Sequence, residues 1–369
     1  MRIHLLGRAP RNASLGALHL TFFVTAIVTE LCIRTQLYLT HYPQLGGHGL
    51  HIAHLLWGGV FMVVALAILL SLLGRRARQV AALVAGVGFG FFIDELGKFI
   101  TADNNYFYKP AAGLIYLIFI GLYLGSRAYQ RHRGLNEAEK VRNAVELIGE
   151  ATYGPFKLEY RERALALLAE VPEGNPLRDP LIHLAEDIDT TPNPNPPWYR
   201  RFADAVAARY REWSERGWFH TVVFVVFAFW ALAGIVAILG LVLSITFHDH
   251  AARAEFERDS FGHLNFVNLA SLVSTGVSSV FVAIGLERLL SRRRLDAYTW
   301  LTRALLVSIF VTRVFTFVES QFGAVFGLAV DVLLLVSIQL MATQERRRGL
   351  APPPLPRRPA AESAAPAPG

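Results

Sequence analysis

The feature that most constrains this chain is a series of apolar runs, each long enough to cross a lipid bilayer. Residues 51–73 and 218–246 carry no Asp, Glu, Lys or Arg at all. A membrane helix needs about 20 mostly apolar residues. By that measure there are about eight candidates: 15–39, 51–73, 79–101, 110–127, 218–246, 264–287, 298–319 and 322–342. The first is longer than a signal-peptide core and carries Glu30 and Arg34, so it reads as a retained anchor. Composition agrees. Of 369 residues, 53% are hydrophobic and only 18% charged, against about 25% charged in soluble domains. The expected fold is an all-α, polytopic transmembrane bundle of about eight spans, with a small helical cytoplasmic insert.

Lys and Arg in the short loops set the orientation. Arg2, Arg8 and Arg11 precede the first run. Arg75, Arg76 and Arg78 separate the second and third. Arg292, Arg293 and Arg294 separate the sixth and seventh, and Arg346, Arg347 and Arg348 follow the last. Residues 40–50 have no Lys or Arg; Lys109, Arg253 and Arg258 are exceptions to the alternation. The pattern predicts a multi-pass plasma-membrane protein with both termini cytoplasmic. It also explains the net charge of +7. Acidic and basic residues roughly balance in 129–217, so nucleic acid is not an expected partner. Membrane lipids are, because the basic helix ends meet anionic headgroups.

The expected domains are a four-span region over 1–128, a helical cytoplasmic insert over 129–217, a second four-span region over 218–345 and a disordered Pro/Ala-rich tail over 346–369. Within the insert, 136–150, 157–170 and 177–188 read as amphipathic helices. A Pro/Asn linker at 191–197 precedes a further helix over 198–216. No phosphate-binding glycine loop is present. The insert is expected to dock to the bundle or to a cytoplasmic protein partner. The single cysteine, Cys32, excludes an intrachain disulfide and a Cys-rich zinc site.

Charged residues inside apolar runs are costly, and here they share a depth. Glu30 and Arg34 lie in the first run, His51 and His54 open the second, and Asp94, Glu95 and Lys98 lie late in the third. Helix rise places Arg34, His54, Asp94 and Glu95 roughly 5–10 Å below the outer boundary, with Glu30 slightly deeper. The adjoining loop holds Asp103, Asn104, Asn105 and Tyr106, side chains suited to a polar ligand. Three readings stand open. Glu30 with Arg34 and Asp94 with Lys98 are spaced for ion pairs within one helix. Asp94 or Glu95 is placed to act as a general base, with Arg34, Lys98, Asp103, Asn104, Asn105 and Tyr106 as ligand contacts. His51, His54 and Glu30 are donors suited to one divalent metal ion, the only cofactor the residues suggest. Gly86 and Gly90, in small-xxx-small spacing, predict close helix contact in the third run. Arg313 and Asp331 in the last two runs fall at similar depth, where an ion pair or a proton relay is the expectation. No broken helix is evident.

The stretches LHIAHLLWGG and GFGFFIDELGKFITADNNYFYKP resemble uncharacterised integral membrane proteins of high-GC actinobacteria. Over 48–110 they are also loosely similar to VanZ-like membrane proteins. That family has a basic or histidine pair on one helix, an acidic residue on the next and an Asp/Asn motif after it. The resemblance implies those roles for His51, His54, Glu95, Asp103 and Asn104, but no activity. The expected function is a site facing the outer leaflet that binds, and hydrolyses or modifies, a polar lipid or envelope metabolite. The alternatives are a secondary transporter coupled through intramembrane carboxylates and a non-catalytic membrane scaffold.

Overall fold

The computed structural model describes residues 10–40, 54–101, 108–131, 134–193, 195–196, 198–246 and 266–350. It is helical almost throughout, with α1 Leu15–Leu39, α2 His54–Ser71, α3 Arg75–Asp94, α4 Leu96–Ile100 and α5 Lys109–Arg131. The next helices are α6 Glu137–Gly149, α7 Leu158–Ala169, α8 Arg178–Asp187, α9 Trp198–Ser214, α10 Gly217–Thr246 and α11 Phe266–Leu290. Then come α12 Arg294–Val307, a π-helical turn Ser308–Thr312, α13 Arg313–Ser320, a 3-10 turn Gln321–Gly323 and α14 Ala324–Leu350. The described residues fall into two compact units: those of 1–203 with 313–325, and those of 204–312 with 326–369.

Among the described residues, seven helical stretches are long and apolar enough to cross a membrane. The seventh, Arg294–Arg346, is 53 residues long and takes in both of the last two predicted runs. The outward faces are those of a membrane bundle. On α2, Leu56, Val60, Val63, Leu66 and Leu70 are exposed, and on α10 so are Val222, Val225, Phe229, Leu232 and Val236. Exposed apolar surface of this extent suits lipid and would aggregate in water.

In the first unit, α3 lies between α1 and α2. The chain turns from α2 into α3 at Gly74, whose φ of 94° is open to glycine without strain. Three glycines then set the distance between backbones. A Cβ on Gly88 would sit 2.8 Å from the Gly58 carbonyl oxygen and 2.9 Å from the Met62 nitrogen of α2. A Cβ on Gly90 would meet the Ala26 carbonyl oxygen of α1 at 2.7 Å, and one on Gly86 would meet the Phe22 oxygen at 2.6 Å. The predicted close contact of the third run is therefore real, and it is made on two sides. On α5, Gly113 faces Val318 of α13, and the Tyr116 ring stacks on Phe317 at 4.5 Å between centroids.

The insert helices α6, α7 and α8 appear within a residue or so of their predicted positions. They bury Ala144, Leu147, Ile148, Phe156, Ala164, Leu168 and Ala185. A two-residue parallel pairing, Phe156–Lys157 with Thr190–Thr191, ties the start of α7 to the end of α8. Asn136 and Glu139 form a reciprocal capping box at the start of α6. Glu139 also clasps the N-terminal segment. Its Oε1 accepts from Arg11 N (3.1 Å) and Nε (2.8 Å), and its Oε2 accepts from Arg11 Nη2 (2.8 Å) and Asn136 N (2.8 Å). Asn143 accepts from the Ala13 backbone and donates to the Arg11 carbonyl. Arg78 pairs with Glu146, and the Arg75 backbone donates to Glu150 at 2.9 Å. These contacts place the insert up to Ala203 in the same compact unit as the first four apolar helices.

The second unit has its own core, with Phe227, Val282, Leu301, Leu305, Ile338 and Met341 fully buried. Tyr210 of α9 hydrogen-bonds Ser337 of α14, and Gln344 donates to Ser214 Oγ at 2.8 Å.

Three expectations need correction. The helix of the third run is interrupted at Glu95, between α3 and α4. The seventh run holds a π turn at 308–312. The predicted disordered tail began at 346, but helix α14 continues to Leu350, because the basic run 346–348 suits a helix C-terminus.

Candidate functional site

Buried charge gathers at the ends of α1, α2 and α3 farthest from the Arg75 turn. Asp94 is 0% exposed, Glu95 2% and Glu30 3%. Arg34 Nε lies 2.6 Å from Asp94 Oδ1, and its Nη2 donates to the Asp94 carbonyl at 2.7 Å. The same Nε stands 3.7 Å from Glu30 Oε1, beyond hydrogen-bond length. Phe322 lies under the guanidinium, 4.7 Å from its ring centroid. Arg34 thus links α1 to α3 with two charge-assisted contacts and an aromatic face.

One residue on, the helix breaks and Glu95 turns toward α2. The His54 backbone N–H donates to Glu95 Oε1 at 2.6 Å, and the His54 ring Nδ1 is 3.5 Å from the same oxygen. Glu95 therefore takes a first-turn N–H of α2 that has no partner within its own helix. Its other oxygen, Oε2, is buried and has no hydrogen-bond partner among the described residues. Phe91 stacks obliquely on the His54 ring, 6.2 Å away. Lys98, one turn beyond on α4, is partly exposed and within electrostatic reach of Glu95.

Of the sequence-predicted residues, Arg34 with Asp94 and His54 with Glu95 converge as two adjacent pairs, Glu30 stands beside the first, and Lys98 flanks the second. The helix-internal pairing of Asp94 with Lys98 gives way to the interhelical bond with Arg34. His51, Asp103, Asn104, Asn105 and Tyr106 lie outside the described residues. For the metal expectation of His51, His54 and Glu30, no group of three His, Cys, Asp or Glu side chains converges among the described residues. Sequence reasoning missed Phe322, because nothing in the apolar hairpin signals a residue 288 positions from Arg34.

The second unit holds a buried carboxylate of a different kind. Asp331 of α14 is 3% exposed, and its Oδ2 accepts from Ser308 Oγ at 2.8 Å. Ser308 opens the π turn. Nearby, Ser278 Oγ donates to the Ala304 carbonyl at 2.8 Å, and Ser279 is buried against Gly234. The break at Glu95 and the π turn at Ser308–Thr312 each fall beside a buried carboxylate, and π turns are frequent at functional sites.

No protein-family model, curated protein or solved structure matches the chain.

Proposed function

We propose that this is an eight-span plasma-membrane protein with both termini cytoplasmic. Its Glu95 site would open toward the outer leaflet, bind a polar lipid headgroup or envelope metabolite, and hydrolyse or modify it. Helix rise supports the span count: 53 residues run about 80 Å, more than twice a hydrocarbon core of about 30 Å. That stretch is interrupted at Gln321, whose φ is 51°. The alternation of basic turns supports the orientation.

One observation carries the chemistry. Glu95 is a desolvated carboxylate with one oxygen fixed by His54 and the other unmatched among the described residues. A buried polar atom left without a partner is unfavourable by about 1–3 kcal/mol, so folds rarely keep one unless it meets a ligand or water. In this role Glu95 Oε2 takes a proton from water or a substrate hydroxyl, His54 carries the proton onward, and Lys98 attracts an anionic group. Arg34 and Asp94 hold α1 and α3 in place around the break. The test is full-length protein in nanodiscs of bacterial polar lipid, assayed by mass spectrometry for headgroup release. Wild type should change the lipid profile; Glu95→Gln and His54→Ala should not, with folding intact. A wild type that leaves the profile unchanged, or variants as active as wild type, defeats the reading.

A second reading, proton- or ion-coupled transport, gains from the helix interruptions at Glu95 and beside Asp331. Transporters place broken helices and carboxylates near the membrane midplane. It predicts a pH-gradient-driven flux in proteoliposomes that Asp331→Asn abolishes. Flux that survives the substitution discards it.

A further inference from the structure

At the opposite end of the same helices, the first unit holds a cavity of about 710 Å³. Its walls come from the residues before and within α1, the first turns of α3, the end of α5 and the insert. Arg11, Arg75, Arg78, Arg163 and Arg200 line it, and among the described residues no carboxylate does. Three of these arginines are paired with acids set back from the wall: Arg11 with Glu139, Arg78 with Glu146 and Arg163 with Glu159. Arg75 and Arg200 have no ion pair among the described residues. Arg75 donates from Nη1 to Ser14 Oγ at 2.8 Å, while its Nε is buried without a hydrogen-bond partner among the described residues. Guanidinium donors left open around a carboxylate-free cavity are the arrangement that takes phosphate oxygens in pairs.

The far wall is different. From Arg75 the lining continues along α3 to Val80 and Leu83, and from Asn12 along α1 to Leu18 and Thr21. That is about 12 Å along α3 from Arg75 to Leu83 and about 9 Å along α1 from Leu15 to Thr21. Val80 and Leu83 are themselves exposed on the apolar surface. The cavity is therefore cationic at one end and runs out onto the lipid-facing side of two membrane helices at the other. A free anion uses only the first half; a phospholipid uses both.

We infer that this cavity is a binding site for an anionic phospholipid, with the phosphate held by Arg75 and Arg200 and an acyl chain laid along Val80 and Leu83. The lipid would thereby bridge the membrane helices and the insert, since Arg75 belongs to α3 and Arg200 to α9. The site is remote from Glu95 and does not depend on its chemistry.

The experiment is thermal unfolding of full-length protein in an uncharged detergent. Four additions are titrated separately: phosphatidylglycerol, phosphatidylcholine, glycerol 3-phosphate and inorganic phosphate. Phosphatidylglycerol should stabilise saturably, and phosphatidylcholine should not. Each arginine near a lipid phosphate contributes about fivefold in affinity. The midpoint should therefore rise about 25-fold in the Arg75→Gln/Arg200→Gln double variant and stay unchanged in Arg209→Gln, an exposed position outside the cavity. If the double variant does not fold, Arg200→Gln alone, on an exposed side chain, should still raise the midpoint about fivefold. Equal response to both lipids, or an unchanged midpoint in the cavity variants, overturns the site. Saturation by glycerol 3-phosphate or inorganic phosphate at the same concentration as the lipid overturns the lipid assignment.

Discussion

Glu139 and Glu95 are both buried glutamates that reach across to another segment of the first unit, and they are satisfied very differently. Glu139 receives four donors over its two oxygens, three of them from Arg11. Glu95 receives donors from His54 on one oxygen and has none among the described residues on the other. The first is complete in itself and can only hold. The second is incomplete and leaves room for chemistry. Burial alone does not separate a clasp from a site; the number of matched lone pairs does.

Substitutions can break that contrast. The largest effect on stability is expected from Arg34→Ala, which takes the Arg34 guanidinium from Asp94 at 0% exposure. Removing one partner of a buried pair destabilises by about 3–5 kcal/mol, read as loss of folded protein in a detergent thermal scan. Glu139→Gln should destabilise by about 1–3 kcal/mol, because Arg11 loses its charge-assisted bonds. Glu95→Gln should be neutral or slightly stabilising, since it relieves a desolvated charge, while abolishing activity. If Glu95→Gln unfolds the protein as readily as Glu139→Gln, the two carboxylates are the same kind of feature and the contrast fails.

pH sharpens the comparison further. The Arg11 guanidinium and backbone donors hold the Glu139 carboxyl down to about 2, from an ordinary value of 4.5. A depressed carboxyl stabilises the fold fully above its unfolded pKa and loses that contribution as pH falls through the folded one. The insert should therefore stay docked at pH 5 and loosen between about 4.5 and 2. Hydrogen exchange of α6 amides would follow this, and Glu139→Gln should flatten the dependence. The smallest effect is expected at Arg163→Gln, whose partner Glu159 lies one turn away on an exposed surface. Such pairs contribute about 0.5 kcal/mol or less, so the unfolding temperature should hardly move.

Much of this architecture was legible in the residues. The first run, 15–39, coincides with α1 because apolar length alone decides a membrane helix. The insert helices were equally readable, since Leu147 with Ile148, and Leu165 with Leu167 and Leu168, supply their apolar faces. The shared depth of Arg34, His54, Asp94 and Glu95 was also visible, because rise per residue is fixed. What spacing could not show was partner choice. Asp94 has Lys98 four residues on, yet bonds Arg34 sixty residues away, because glycines bring α1 against α3. Hydropathy likewise passes through Glu95 and through 308–312 without registering that the helix changes there. The apolar average is the same whether the backbone continues or not.

Gly86, Gly88 and Gly90 carry one further consequence. With main chain pressed to main chain on both flanks, the shaft of α3 has no clearance to slide or swivel. A methyl group at any of the three would have to push α1 or α2 off the shaft, and so would pull apart the Arg34–Asp94 and His54–Glu95 contacts at its end.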